Sequence, residues 1–173
     1  MAAPANYYYP EEIASWWRDL FRADLKAELS LKDIKTGNLA DFPAPKDLAT
    51  AAPSVFVSPA DFTTEFTTVN GLVLSTIYRI RVVYLGRIPE VAGGAGPTIE
   101  GERSKIRRFA DEITQNLRMA TFAQTNCQIL YATPSMVPLR PAEDSLVGQV
   151  NAQVVAAALD LVVYAITTVP QIP

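Results

Sequence analysis

The side chains that most often do chemistry in proteins are scarce in this chain. Its 173 residues include no histidine and one cysteine, Cys127. Without histidine, the usual nucleophilic triads and most zinc sites lack an essential member. A lone thiol also lacks an activating base, and free cysteine is among the residues most often buried. We therefore predict that Cys127 is a small apolar residue of a strand, and that the chain has no catalytic residue and no metal site.

Two other local patterns fall short of a binding site. The stretch Gly93-Gly-Ala-Gly-Pro-Thr lacks the Lys-Ser/Thr ending of a phosphate-binding loop and the spacing of a dinucleotide fingerprint. The adjacent acids Asp111 and Glu112 lie on a predicted helix, where neighbours in sequence do not face each other. Glu143 and Asp144 lie between prolines and a predicted strand, where acids are common, and neither acidic pair makes a two-metal site by itself. The sequence therefore predicts an ordinary loop, solvated acids and no cofactor.

Four basic residues are concentrated on one predicted helix: Arg103, Lys105, Arg107 and Arg108. A nucleic-acid site would need interleaved aromatic residues or a second basic stripe, and the sequence has neither. The simplest interpretation is a solvated helix face. Because arginine is enriched at protein interfaces, contact with another subunit or a partner is the main alternative.

The composition describes one globular domain spanning residues 1–173, with residues 1–9 as an N-terminal arm. Hydrophobic residues make up 49% of the chain and charged residues 19%, and the net charge is −3. This balance is typical of a packed fold and gives the molecule as a whole no attraction to nucleic acid. The N-terminus lacks the regions of a signal peptide, and Asp160 interrupts the most apolar stretch. We expect synthesis in the cytoplasm and no membrane contact.

The spacing of apolar residues predicts the elements that position these side chains. Helices are predicted over residues 10–29 and 102–119, and strands over 54–58, 72–85, 125–132 and 149–168. For residues 149–160 a helix is the alternative, because alanines 156–158 favour a helix while the valines favour a strand. Proline and glycine predict loops over 36–53 and 86–101, and an irregular stretch from Pro134 to Pro141. The fold class is therefore α+β, with a mainly antiparallel sheet of about four to five strands flanked by two amphipathic helices.

Charged residues inside apolar strands need partners. Arg79 and Arg81 share one face of the strand 72–85, and Asp160 is the charged residue within the strand 149–168. An unpaired buried carboxylate is costly. We therefore expect Asp160 to form a salt bridge with Arg79, with Arg81 or with an arginine of a neighbouring subunit.

The strand 149–168 carries apolar residues on both of its faces. Val155, Leu159 and Val163 point one way, and Val154 and Ala158 point the other. A strand that is covered on both sides has this pattern. A partner chain could provide the second cover.

The order of these elements resembles the tail terminator family of long-tailed bacteriophages, including the lambda-type terminator and related neck proteins. The resemblance covers residues 10–168. It is carried by the helix after Pro10, the strand Ser75-Thr-Ile-Tyr-Arg-Ile-Arg-Val-Val-Tyr-Leu, the long loop 86–101, the helix Ser104-Lys-Ile-Arg-Arg-Phe-Ala-Asp-Glu-Ile and the closing strand from Val154. The Tyr-rich N-terminus and the segment 41–59 are longer than a minimal version of the family needs.

The resemblance implies a structural virion protein of the tail and neck region, not an enzyme. It implies a ring-forming subunit, expected as a homohexamer, that caps the tail tube and joins it to the head connector. The implied partners are further copies of the chain, the tail tube protein and the head connector or stopper protein, with genomic DNA only passing through the lumen. No catalytic site carries over.

Contacts in such a ring would fall on charged side chains of the sheet, the loop 86–101 and the second helix. The candidate interface residues are Arg79, Arg81, Arg87, Glu90, Arg103, Lys105, Arg107, Arg108 and Asp160. Because glycine makes the loop costly to order, we expect it to be mobile in the isolated subunit and ordered on assembly. Arg87 and Glu90 would then contact an adjacent protein.

Three other functions are compatible with the sequence. Another head–tail connector, or a sheath or baseplate component, would differ from a terminator in its oligomer number and neighbours. A small domain that binds an apolar ligand between helices and sheet would be a monomer with a closed pocket. An enzyme that uses only carboxylates and tyrosines is the least favoured of the three, because no motif supports it.

Overall fold

A computed structural model describes residues 9–41, 48, 50–66, 73–88, 98–117, 127–149 and 154–168. The fold is α+β, as predicted, with one five-stranded sheet packed against helices. The helices are α1 (Pro10–Asp24), α2 (Ile99–Glu112) and α3 (Pro141–Gly148). The strands are β1 (Asp33–Thr36), β2 (Ser54–Phe66), β3 (Val73–Arg87), β4 (Cys127–Val137) and β5 (Val154–Thr168). A 3-10 turn (Leu39–Asp41) follows β1, and a π-helical turn (Ile113–Leu117) follows α2.

The strand order in the sheet is β1-β2-β3-β5-β4. β1 runs parallel to β2, and every other pair is antiparallel, so the sheet is mainly antiparallel as predicted. β3 and β5 pair along their full length, from Val73 opposite Thr168 to Arg87 opposite Val154. β5, which follows β4 in sequence, therefore lies between β3 and β4.

One face of the sheet, called the helix face here, is covered by α1 and α2. Pro10 begins α1 and Glu12 accepts a hydrogen bond from the Tyr9 N–H, which satisfies a backbone donor at the helix start. Trp17 and Phe21 of α1 are fully buried, and the Phe21 ring meets that of Phe109 from α2 edge-on at 5.2 Å. Side chains therefore fill the space between these helices and the sheet.

The opposite face of the sheet, called the second face, is covered over only part of its area. A second cluster of buried residues joins Val83 and Leu85 of β3 to Ala156 and Ala158 of β5. Its cover comes from the chain itself, namely Leu39, Leu48, Ala52 and, partly buried, Leu139, Leu146 and Val147. The first half of β5 is therefore enclosed on both faces within one subunit.

Several element boundaries differ from those predicted. The first helix ends at Asp24, not at residue 29, although Leu25 and Leu29 remain buried in the turns that follow. β2 continues past Pro59 to Phe66, because a bulge between Pro59 and Asp61 accommodates the proline. β4 likewise continues through Pro134 to Val137, because an edge strand tolerates proline on its unpaired side.

Two elements were missed. β1 is only four residues long, and it forms in a segment where no strand was predicted. α3 lies in the stretch that begins at Pro141, where proline occupies the first helical turn instead of preventing a helix. The predicted loop 86–101 is shorter than expected, since Gly86 and Arg87 end β3 and Ile99 begins α2. Its remainder, including Glu90 and the glycine-rich stretch, lies outside the described residues, and so does the arm before Tyr9.

Candidate functional site

A buried charge cluster fixes α3 to the second face of the sheet. Arg81, in the middle of β3, donates from Nε to Glu143 Oε1 at 2.9 Å and from Nη2 to Glu143 Oε2 at 2.7 Å. Its remaining donors reach Asp160 Oδ1 and the Pro138 carbonyl oxygen, both at 3.0 Å. Arg81 and Glu143 are almost completely buried. The guanidinium thereby joins β3, β5 and the start of α3.

The cluster keeps its charges at neutral pH. Burial by itself would raise the pKa of Glu143, but the hydrogen bonds from Arg81 and from the Arg140 N–H, with the nearby positive charges, outweigh it and hold that pKa below its usual value. The hydrogen bond to Glu143 raises the pKa of Arg81 against the effect of burial. A charged pair of this kind is costly to break, because either partner alone would be an uncompensated buried charge.

The salt bridge expected for Asp160 is confirmed, with Arg81 as its partner. Asp160 keeps 34% of its side chain exposed, so it forms the solvent-facing edge of the cluster. Two assignments need correction. Arg81 was a candidate interface residue, but its donors are used inside the subunit and almost none of it reaches the surface. Glu143 was interpreted as an ordinary acid with no particular role, yet its carboxylate is the main partner of Arg81.

A second buried carboxylate lies on the helix face. Tyr84 of β3 donates its hydroxyl to Glu102 Oε2, and Lys105 reaches Glu102 Oε1 at 2.9 Å. Burial, followed by the hydrogen bond to Glu102 and its charge, raises the pKa of Tyr84 well above its usual value. Gly86 makes room for this pair, because a Cβ at that position would lie 2.7 Å from Glu102 Oε2 and 2.8 Å from Tyr84 Cε1.

The four basic residues of α2 have different surroundings. Lys105 pairs with Glu102 at 2.9 Å, Arg107 with Glu100 at 3.2 Å and Arg108 with Glu28 of the segment after α1 at 3.8 Å. Arg107 and Arg108 are 62% exposed, so their pairs are solvated, as the simpler interpretation predicted. Arg103 is also exposed, but it lines a groove beside β5 and forms no ion pair with the described residues.

The other candidate interface residues are at the surface or outside the described residues. Arg79 is exposed on the second face and pairs with Asp61 of β2 at 3.5 Å, where both side chains are 60% exposed. Arg87 is exposed at the end of β3. Glu90 lies outside the described residues, so its expected contact stays a prediction.

The part of the second face beyond the Arg81 cluster, called the open half-face here, is formed by Ile77, Tyr131, Val162, Tyr164 and Ile166. These side chains are half-buried, whereas those of the covered half are mostly buried. The rings of Tyr131 and Tyr164 stack at 4.4 Å across β4 and β5. A partly exposed apolar surface bordered by charged residues can serve as an interaction site.

The sheet also has two dissimilar edges without a strand neighbour among the described residues. β4 is the terminal strand on one side. On the other side, β1 pairs only with Ser54–Val57, so the outer edge of β2 beyond Ser58 is open. Unpaired edges are sites where strands of other chains can add.

The described residues do not form a metal-binding site. No three Asp, Glu or Cys side chains among them stand close enough to share an ion. Cys127 begins β4, so its placement in a strand is confirmed, while its side chain is outside the described atoms. None of the described helices has the length and apolar character that crossing a membrane would require.

The sequence does contain a signal for one missed residue. Arg140-Pro-Ala-Glu places proline in the first helical turn and an acid at its third position, a pattern of helix starts. The Glu143 side chain accepts from the Arg140 N–H at 2.8 Å as such a pattern requires. Glu102 gives no comparable signal, because its burial depends on Tyr84 and Gly86 of a distant strand.

No family model matches this sequence, and no characterised protein is similar enough to count as a relative.

Proposed function

We propose that the protein is a structural subunit of a ring, acting as a tail terminator at the neck of a long-tailed phage. The observation that carries this proposal is that one sheet has two dissimilar edges on opposite sides, β4 and the distal part of β2, which no strand of the described residues covers. Contact between two different surfaces of identical subunits is head-to-tail, and it closes into a ring when the rotation per subunit allows.

The open half-face supports the same contact. It lies between the two unpaired edges, where Thr63 of β2 is opposite Ile77 of β3 and Tyr131 of β4 is opposite Tyr164 of β5. A neighbour seated at either edge would also cover part of this apolar surface. The Arg79–Asp61 pair at its margin is exposed, so its charges are available to a neighbouring subunit.

The position at the neck rests on the order of elements. An amphipathic helix, a long central strand, a second amphipathic helix and a closing strand occur in the sequence in the order that resembles tail terminators. In this role the ring caps the tail tube, contacts the head connector and lets DNA pass through its lumen. We expect more acidic than basic side chains along the lumen, because lysine and arginine would hold the phosphates of the DNA.

The alternative of a ligand-binding domain finds less support. It requires a closed pocket between helices and sheet, where instead Trp17, Phe21 and Phe109 are fully buried against one another and against the strands. Another connector of the head–tail junction would share the edges and the open half-face, and it would differ in symmetry.

The direct test is made in the assembled particle. Imaging the neck should show a six-fold ring of this protein between tail tube and head connector, and its removal should give tails of abnormal length that fail to join heads. Tails of normal length that still join heads without it would refute the terminator role, and a twelve-fold ring would assign it to the connectors.

A matched pair of substitutions tests the contact surface. Val162→Asp places a charge on the open half-face, at a half-buried position that the folded subunit can hydrate. We expect it to leave the subunit folded and to prevent ring assembly. Ala23→Asp adds the same charge at an exposed position of α1 on the helix face and should assemble normally. Normal assembly of Val162→Asp would remove the open half-face from the contact.

A further inference from the structure

The first residues of β5 have one edge without a strand partner. Residues 154–157 pair with β3, whereas β4 pairs with β5 only from Ala158 onward, where Val137 lies opposite. After Val137 the chain leaves the sheet through Pro138 and enters α3. No other strand among the described residues takes the position beside 154–157. Since alternate residues of an antiparallel strand direct their N–H and C=O to the same edge, two of these four residues present both groups there.

A groove follows this unpaired edge, and we call it the β5 groove. It consists of two adjoining pockets of about 400 and 230 Å³ that share Arg103, Leu139, Asp144 and Ala156 in their walls. Its lining includes the consecutive residues Ala156, Ala157 and Ala158, whose side chains point to alternate faces of the sheet. The groove therefore runs along the edge of β5, with Arg103 of α2 and Asp144 of α3 at its sides.

The walls of the β5 groove are mostly apolar. Their apolar side chains include Met136 and Val137 of β4, Leu139, and Val154 and Val155 of β5. Met136 is 46% exposed, one of the two large hydrophobic residues that are exposed in the described part of the chain. An apolar channel with unpaired backbone groups along one side matches the surface on which an extended peptide adds as a further strand.

The charged residues at the sides of the groove indicate which charges a bound peptide would carry. Arg103 is the basic residue of α2 that lines the groove, and it lacks the intramolecular acid that Lys105, Arg107 and Arg108 each have among the described residues. Asp144 lines the groove as well and is exposed. The groove therefore offers a positive charge from α2 and a negative charge from α3.

We propose that the β5 groove binds an extended segment of a partner protein, which pairs with residues 154–157 in the position that β4 leaves open. Successive side chains of a strand point to opposite faces. A segment seated here places an acidic residue towards Arg103 and an adjacent basic residue towards Asp144, within an otherwise apolar or β-branched stretch. The site belongs to a single subunit, so it does not depend on ring formation.

The test uses the full-length protein and a synthetic six-residue peptide, acetylated and amidated at its ends, that reads threonine, valine, glutamate, lysine, valine, threonine. Binding is followed by fluorescence polarisation of a labelled peptide. Arg103→Glu should weaken binding about tenfold, the loss typical of one charge-assisted contact. A peptide with lysine in place of glutamate should recover most of that loss in the variant.

Two controls separate strand addition from general charge attraction. Arg107→Glu changes the same charge on the same helix at an exposed residue that does not line the groove, and it should leave binding unchanged. A peptide methylated at the backbone nitrogens that face β5 should not bind, because it can no longer donate to the strand edge.

Three outcomes would overturn the proposal. They are no binding of the peptide to the unaltered protein, equal weakening by Arg103→Glu and Arg107→Glu, and unchanged binding of the methylated peptide. Self-association in sedimentation that Arg103→Glu abolishes would also overturn it, since the occupant would then be a second copy of the chain. The first three outcomes leave the ring untouched, because it is tested in the particle, whereas self-association through the groove would add this surface to the contacts between subunits.

Discussion

Arg81 and Glu143 are separated by 62 residues and meet in the interior through two hydrogen bonds of 2.9 and 2.7 Å. The guanidinium binds the carboxylate in a bidentate arrangement, in which Nε donates to one oxygen and Nη2 donates to the other. Because α3 has only eight residues, this contact supplies much of what holds it to the sheet. The contact also separates the covered part of the second face from the open half-face.

Removing the charge of Glu143 should destabilise the subunit more than removing that of Asp160. Glu143→Gln leaves Arg81 without its buried counter-charge, a loss of about 3–5 kcal/mol in the free energy of unfolding. Asp160→Asn should cost less, because Asp160 is partly exposed and Arg81 keeps Glu143. Asp61→Asn breaks the exposed pair with Arg79 and should cost less than about 1 kcal/mol. Urea denaturation measures all three, and equal losses would contradict a buried role for Glu143.

Stability should fall in acid because of the same residue. The pKa of Glu143 is lowered in the folded state, so the stabilisation is fully present above the unfolded value of about 4.3 and is lost as pH falls through the folded pKa. The free energy of unfolding of the unaltered protein should therefore decrease below about pH 4 more steeply than that of Glu143→Gln. Parallel curves in denaturation series from pH 7 downward would show that Glu143 does not contribute.

Alkaline pH should act through Tyr84. Its pKa is raised by burial and by Glu102, so the neutral phenol is fully stabilising below the unfolded pKa of about 10, and the contribution is lost as pH rises further. Stability should decline above about pH 10 more in the unaltered protein than in Tyr84→Phe. Absorbance of the phenolate during the titration provides the check, since Tyr84 should ionise only when the protein unfolds.

Gly86 should tolerate no side chain. Gly86→Ala places a methyl group against Glu102 and Tyr84 inside the protein, and we expect a loss of about 1–3 kcal/mol from this overpacking. Gly148→Ala is the matched control, because a Cβ there meets nothing within 4 Å, and it should be neutral or stabilise by less than about 1 kcal/mol. Thermal unfolding distinguishes the two, and similar midpoints would show that Glu102 and Tyr84 shift without cost.

The long elements could be predicted because their side-chain patterns are strong. Alternation around Tyr78–Tyr84 placed β3 within two residues of its observed ends. The β-branched residues after Val154 favoured a strand for β5, which begins five residues later than predicted, where the alanines also allowed a helix. Two strand ends predicted from proline are wrong. Pro59 and Pro134 lie inside β2 and β4, because a bulge accommodates Pro59 and β4 is an edge strand that tolerates Pro134.

The charge cluster could be predicted only in part. Asp160 interrupts an apolar strand, so its need for a cation is visible in the sequence, and Arg81 lies on a strand of the same kind. The Arg140-Pro-Ala-Glu pattern indicates that Glu143 lies at a helix start, but nothing local shows whether this acid is buried or solvated. Its role depends on how α3 folds back over β3, which is a tertiary relationship. The β5 groove could not be predicted from the sequence either, because it depends on where β4 ends relative to β5.

The position of β5 between β3 and β4 has a consequence for synthesis on the ribosome. While residues up to 153 emerge, β3 can pair only with β2, and β4 has no partner, because its one neighbour in the sheet is β5. The nascent chain therefore presents two apolar strands with unpaired edges until β5 is released, when one strand completes both pairings. The sheet therefore cannot form completely until β5 has emerged, and we expect nascent chains stalled before residue 154 to bind chaperones and aggregate when released.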